Sequence, residues 1–176
     1  MNFRASRLGL GEWLIAPCSV ILLVVVFAFP WFAVSGDFAS QAANSGATVS
    51  ADGWQSFTLI GPLAVLTGLL GIATCALQAT RRSPALGMIS TITLAPFALL
   101  LFIAMVLRVM VWPPHLHVGI GATGNVLVGR PAAYIAVLLS LLILLGVWAS
   151  LRREGIDPAD APASIQTIRI GADAGT

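Results

Sequence analysis

The chain has 176 residues, 58% of them hydrophobic and only 9% charged, with a formal net charge of +2 and a mean hydropathy of +0.95. Soluble domains carry about a quarter charged residues, so this composition excludes a water-soluble fold. All nine basic residues are arginine, and all but Arg169 in the C-terminal tail stand near the ends of apolar runs. That is the pattern of membrane orientation and not of a nucleic-acid face, and no nucleic-acid partner is expected.

Four apolar runs, 13–34, 57–79, 86–111 and 132–151, are each about 20 residues or more, which as helix crosses a hydrocarbon layer of roughly 30 Å. They predict an all-α membrane protein whose bundle of four transmembrane helices runs up-down-up-down over 1–153. Two extracytoplasmic loops and a disordered cytoplasmic tail over 154–176 complete the expected architecture. The first run closes on Pro30-Trp31-Phe32, read as an interfacial anchor. Ala33-Val34-Ser35 imitates a signal-peptide cleavage site, but the apolar stretch exceeds the ~7 to 15 residues of such a segment, so a retained span is expected. Between the first two runs, 35–56 is rich in Gly, Ala, Ser and Asp and reads as an exposed loop that re-enters the membrane at Trp54 and Phe57.

The second run carries the clearest packing signal. Thr67, Gly71, Cys75 and Ala79 recur every four residues, with Ala64 and Gly68 in a parallel row. Small residues at that spacing let a neighbouring helix backbone approach closely, which in lipid replaces the missing hydrophobic drive. With four helices needing partners, the neighbour is expected within the chain. The turn at 80–83 holds Arg81 and Arg82, and Pro84 opens the third run where its missing N–H costs nothing. Pro96 lies well inside that run and should kink it unless Thr91, Thr93 or a neighbour meets the released carbonyl. Ala133, Ala136 and Ser140 form a weaker small-residue row on the fourth run.

Arg4, Arg7, Arg81, Arg82, Arg152 and Arg153 would share one side of the membrane, with Arg108 and Arg130 on the other. Positive charge gathers in the cytoplasm, so both termini are expected there. Arg108 is the one charge that intrudes on a span. It is read either as snorkelling to the headgroups or as an outer-face anchor for Asp37, Asp52 or an anionic lipid head.

Chemistry-bearing groups are few. His115 and His117 form a His-x-His in the second outer loop, 112–130, and alternate spacing in extended chain would turn both rings to one side. They are the candidate metal ligands, with Asp37 or Asp52 as further donors, though zinc takes three protein ligands in catalytic sites and four in structural ones. Cys18 and Cys75 fall at similar depths near the cytoplasmic side, where reducing conditions oppose a disulfide. No nucleophile with a partnered base and no phosphate-binding glycine loop is legible. The middles of the runs hold no acidic residue, histidine or lysine, which argues against proton relays and ion pumps. No cofactor and no enzymatic activity are expected.

Pro30-Trp31-Phe32 closing the first run, Gly53-Trp54-Gln55-Ser56-Phe57 opening the second, the short Arg-bearing turn, and the stretch from Gly146 through Trp148 to Arg152-Arg153-Glu154 closing the fourth carry a resemblance. Over most of its membrane part the chain resembles a group of small four-helix membrane proteins of actinobacteria. The resemblance implies the four-helix fold and a bacterial cytoplasmic (inner) membrane, and it transfers no activity and no functional residue. The expected function is that of a non-enzymatic structural or accessory component. Its partners would be the lipid bilayer and another membrane protein or further copies of itself. One alternative is a lipid-binding or transport-associated subunit with its site at the outer leaflet. The other is an extracytoplasmic metal site at His115 and His117.

Overall fold

The computed structural model describes residues 9–34, 44, 50–80, 84–114 and 127–153. Its elements follow the chain as α1 Leu10–Ala28, β1 Pro30–Val34, β2 Ser50–Asp52, a single helical turn α2 Gly53–Ser56, α3 Ile60–Thr80, α4 Pro84–Val106, β3 Leu127–Gly129 and α5 Pro131–Arg153. α4 runs on into one π-turn, Leu107–Val111, closed by the Trp112 N–H on the Leu107 carbonyl at 2.7 Å.

Helices α1, α3, α4 and α5 are each long and apolar enough to cross a membrane. They pack in a closed ring, with α1 against α3 and α5, and α4 against the same two. Ile15, Leu22, Leu94, Leu101, Met105 and Ile143 fill the centre. The outward faces are equally apolar: Val20 and Val24 on α1, Leu66 and Leu69 on α3, Leu99 and Ile103 on α4, and Leu138 and Leu145 on α5 are exposed. An apolar exterior surrounding an apolar interior is what lipid requires as the surrounding solvent, and water would drive such a surface to associate.

The first run divides. Its helix starts at Leu10 and stops at Ala28, and Pro30–Val34 is a strand instead of a last turn of span. What ends the helix there is local. Pro30 has no N–H to give to the Val26 carbonyl four residues back, and Phe29 before it is extended, at φ −120° and ψ 138°, as a residue preceding proline prefers. Proline is tolerated at the first position of a strand, where it now stands. The loop expected over 35–56 also contains structure, since Ser50–Asp52 pairs antiparallel with β1 and Gly53–Ser56 is helical. β3 pairs antiparallel with the other side of β1, so the sheet order is β2-β1-β3. The sheet gathers the end of α1 and the chain leading into α3 and α5 at one end of the bundle.

α4 continues unbroken across Pro96. The two threonines expected to relieve it bond elsewhere: Thr91 Oγ1 donates to the Gly87 carbonyl at 3.1 Å and Thr93 Oγ1 to the Ile89 carbonyl at 2.8 Å.

The small-residue row of α3 is buried throughout, at Ala64, Thr67, Gly68, Gly71, Cys75 and Ala79. A Cβ added at Gly71 would run into Ser19 Oγ and lie 3.2 Å from Ile15 Cγ2, and one at Gly68 would lie 2.9 Å from Leu23 Cδ2, all on α1. Where α1 crosses α5, backbone faces backbone. There a Cβ on Gly11 would lie 2.6 Å from the Gly146 carbonyl oxygen and 2.8 Å from the Ser150 nitrogen.

Candidate functional site

The sheet end of the bundle is built around Trp31. β1 and β2 shift register between Pro30 and Phe32, a bulge that leaves Trp31 without a partner on β2. Expected as an interfacial anchor, Trp31 is instead 1% exposed. A buried indole N–H needs an acceptor, and Trp31 Nε1 finds the Val25 carbonyl at 2.9 Å in the last turn of α1, where helix carbonyls lose their usual partners. Gly53 supplies the room, because a Cβ there would run into the indole ring. Phe57, also buried, meets Trp31 and Phe32 edge-on with centroids 6.2 and 5.6 Å away. Trp54 is partly exposed and stacks on Phe27 at 5.6 Å.

Arg108 projects from the π-turn onto this cluster. Its guanidinium lies 5.5 Å from the centroid of the Phe57 ring, and Nη1 donates to the Trp112 carbonyl at 3.2 Å. These are the partners described for the residue expected to reach Asp37, Asp52 or a lipid head. Asp52 lies on β2 opposite Pro30, and its backbone carbonyl accepts from Ser56 Oγ at 2.6 Å. Asp37, His115 and His117 lie outside the described residues, as do Arg4, Arg7, Arg81 and Arg82 and the tail over 154–176. Among the described residues no group of three His, Cys, Asp or Glu is placed to hold a metal ion.

Beside the sheet, between the π-turn and the start of α5, lies a cavity of about 460 Å³. Phe32 forms its inner wall, Val109, Met110 and Pro113 one flank, and Leu127 and Tyr134 the other. Arg130 is the next residue after the lining residue Gly129. The Arg130 N–H donates to the Trp31 carbonyl at 2.7 Å, which pins the backbone, while the side chain is exposed.

The opposite end holds a residue that the sequence reading passed over. Glu12 lies in the first turn of α1 and is only 6% exposed. Ser150 Oγ donates to Glu12 Oε1 at 2.7 Å, and Cys75 Sγ donates to the Glu12 backbone carbonyl at 3.4 Å. α1 therefore starts earlier than the apolar run and carries a carboxylate into the packed bundle. The available signal was Gly9-Leu10-Gly11-Glu12 itself, since an acidic residue in a first helical turn is favoured by the helix dipole. Nearby, Gln78 Nε2 of α3 donates to Thr91 Oγ1 of α4 at 3.1 Å. Arg152 is exposed and stacks on Trp148, 4.1 Å from the ring centroid. Cys18 and Cys75 are both buried free thiols.

No family model matches this chain, and no curated protein or solved structure matches it either. What the fold itself defines is a class, a multi-pass membrane protein with four candidate membrane-crossing helices.

Proposed function

We propose that this is a non-enzymatic structural or accessory protein of a bacterial cytoplasmic membrane. Its helices would run up-down-up-down with both termini in the cytoplasm, and its sheet end would face outward. Kinship with the small four-helix proteins of actinobacteria belongs to the same reading. The observation that carries it is the use made of the polar side chains. Ser150 with Glu12, Gln78 with Thr91, and Cys75 with the Glu12 carbonyl each join one helix to another, so that groups able to do chemistry serve as fasteners. The outward orientation of the sheet is supported by the arginine bias, and the alternating helix directions by the sheet, which ties the end of α1 to the beginnings of α3 and α5.

Two experiments test the reading. Cysteines placed at Gly46 and Ala122 should react with impermeant thiol reagents from outside and one at Arg81 only from inside; labelling of Gly46→Cys from the cytoplasm would reverse the orientation. For the accessory role, native mass spectrometry of the chain extracted in mild detergent should show a fixed stoichiometry with a second membrane chain or with itself. A lone monomer, together with unaltered neighbours when the chain is deleted from cells, rejects that role.

A further inference from the structure

The geometry points to a phospholipid site at the sheet end, with one acyl chain in the cavity between the π-turn and α5 and the phosphate held by Arg130. The site goes beyond the accessory role and stands or falls separately from any protein partner.

Three observations carry it. The cavity, about 460 Å³, falls within the range of roughly 300 to 1,000 Å³ in which small-molecule sites are found, and most of its lining residues are apolar, Phe32, Val109, Met110 and Leu127 with the Tyr134 ring, while polar atoms make up a nearly equal share of its exposed surface. It also opens onto the lipid side. Met110 and Tyr134 line it while remaining 58% and 50% exposed, so the same side chains belong to the cavity wall and to the outer surface of a helix bundle made for lipid. Trp112, 63% exposed, and Tyr134 mark this level as the headgroup boundary, where aromatic residues with a polar edge concentrate.

Charge selects the headgroup and distinguishes between the two arginines. Arg108 is folded onto the Phe57 ring and the Trp112 carbonyl. Arg130 is fixed only through its backbone, by the Trp31 carbonyl, and no ion pair to it is described among the described residues. Arg130 directly follows Gly129, which lines the cavity, and its side chain is exposed, while Tyr134, also in the lining, lies in the first turn of α5. A phosphate at the mouth would meet a guanidinium able to give two parallel hydrogen bonds and a phenol able to give a third. The occupant is therefore an anionic phospholipid, chain inward and phosphate outward.

The test uses the full chain, purified in detergent and offered phosphatidylglycerol or phosphatidylcholine of identical acyl chains, with lipid retention read by native mass spectrometry. The wild-type chain should keep one phosphatidylglycerol under conditions that strip phosphatidylcholine. Arg130→Gln should reduce that retention about tenfold, the scale of one lost charge-assisted interaction. Met110→Trp, which fills the cavity, should release phosphatidylglycerol as well, and Arg108→Gln should leave its retention unchanged. Equal retention of the two lipids by the wild type, unchanged retention in Arg130→Gln, or loss in Arg108→Gln alone would overturn the assignment. Should a variant fail to fold, the wild-type chain decides. A lipid with a photoreactive group in its acyl chain should crosslink to peptides containing Met110 or Tyr134. Their absence from the labelled set means that something else, such as the chain between Pro114 and Leu127, closes the cavity, and the proposal fails.

Discussion

Ser150 Oγ donates a 2.7 Å hydrogen bond to Glu12 Oε1, joining residues 138 positions apart and fastening the first turn of α1 to the last turns of α5. The bond is possible because Gly11 and Gly146 let the two backbones nearly touch just beside it. In a lipid-facing bundle, where apolar burial gives helices little reason to prefer one another, such a pair combines close packing with a polar contact that fixes the register.

Removing the donor should expose its value. Ser150→Ala leaves a buried carboxylate short of a partner, which costs about 1 to 3 kcal/mol, and should lower the melting temperature in detergent. In a Glu12→Gln background the same substitution should cost measurably less, because the carboxyl acceptor is gone. A double-mutant cycle gives the coupling, and strictly additive effects would show that the pair contributes nothing beyond its separate residues.

Ser19 should behave in the opposite way. It is fully buried, and its hydroxyl is the buried side-chain polar atom left without a hydrogen-bond partner among the described residues, facing Gly71 of α3. An unpaired buried hydroxyl costs roughly 1 to 3 kcal/mol. Ser19→Ala should therefore hold or raise the melting temperature. Gly71→Leu, which drives bulk into the same seam against Ser19 and Ile15, should lower it by an amount equivalent to about 1 to 3 kcal/mol.

Two glycines should differ by what they face. At Gly11 a methyl group would meet backbone atoms of Gly146 and Ser150, which cannot give way without moving α5, whereas at Gly68 it would meet the Leu23 side chain, which can rotate. Overpacking costs about 1 to 3 kcal/mol, and Gly11→Ala should fall at the upper part of that range with Gly68→Ala below it. Equal shifts in chemical or thermal unfolding would mean that the α1–α5 crossing is looser than its geometry implies.

The indole of Trp31 offers a separation of packing from hydrogen bonding. Trp31→Phe keeps most of the buried ring but loses the bond to the Val25 carbonyl, and should cost about 1 kcal/mol, while Trp31→Ala should cost about 3 to 5 kcal/mol. Proteolysis of the chain beyond Val34 should accelerate in Trp31→Ala and hardly change in Trp31→Phe. Identical behaviour of the two would assign the whole effect to the hydrogen bond.

The sequence by itself determined the membrane character and the approximate positions of the four long helices. Both follow from properties of a single segment: an apolar run long enough to span the hydrocarbon layer is recognisable without knowing its neighbours. The row through Gly71, Cys75 and Ala79 was legible for the same reason, since four-residue spacing defines one face of one helix. Tertiary structure decided the rest, because each remaining feature depends on a partner far along the chain. Pro30–Val34 is apolar enough to continue a span, and becomes a strand because Ser50–Asp52 and Leu127–Gly129 supply its hydrogen bonds. Glu12 is an ordinary first-turn acidic residue until α5 covers it and Ser150 meets it. The cavity beside Phe32 exists only where the π-turn of α4, β3 and the start of α5 converge, and no spacing within any one of those segments encodes it.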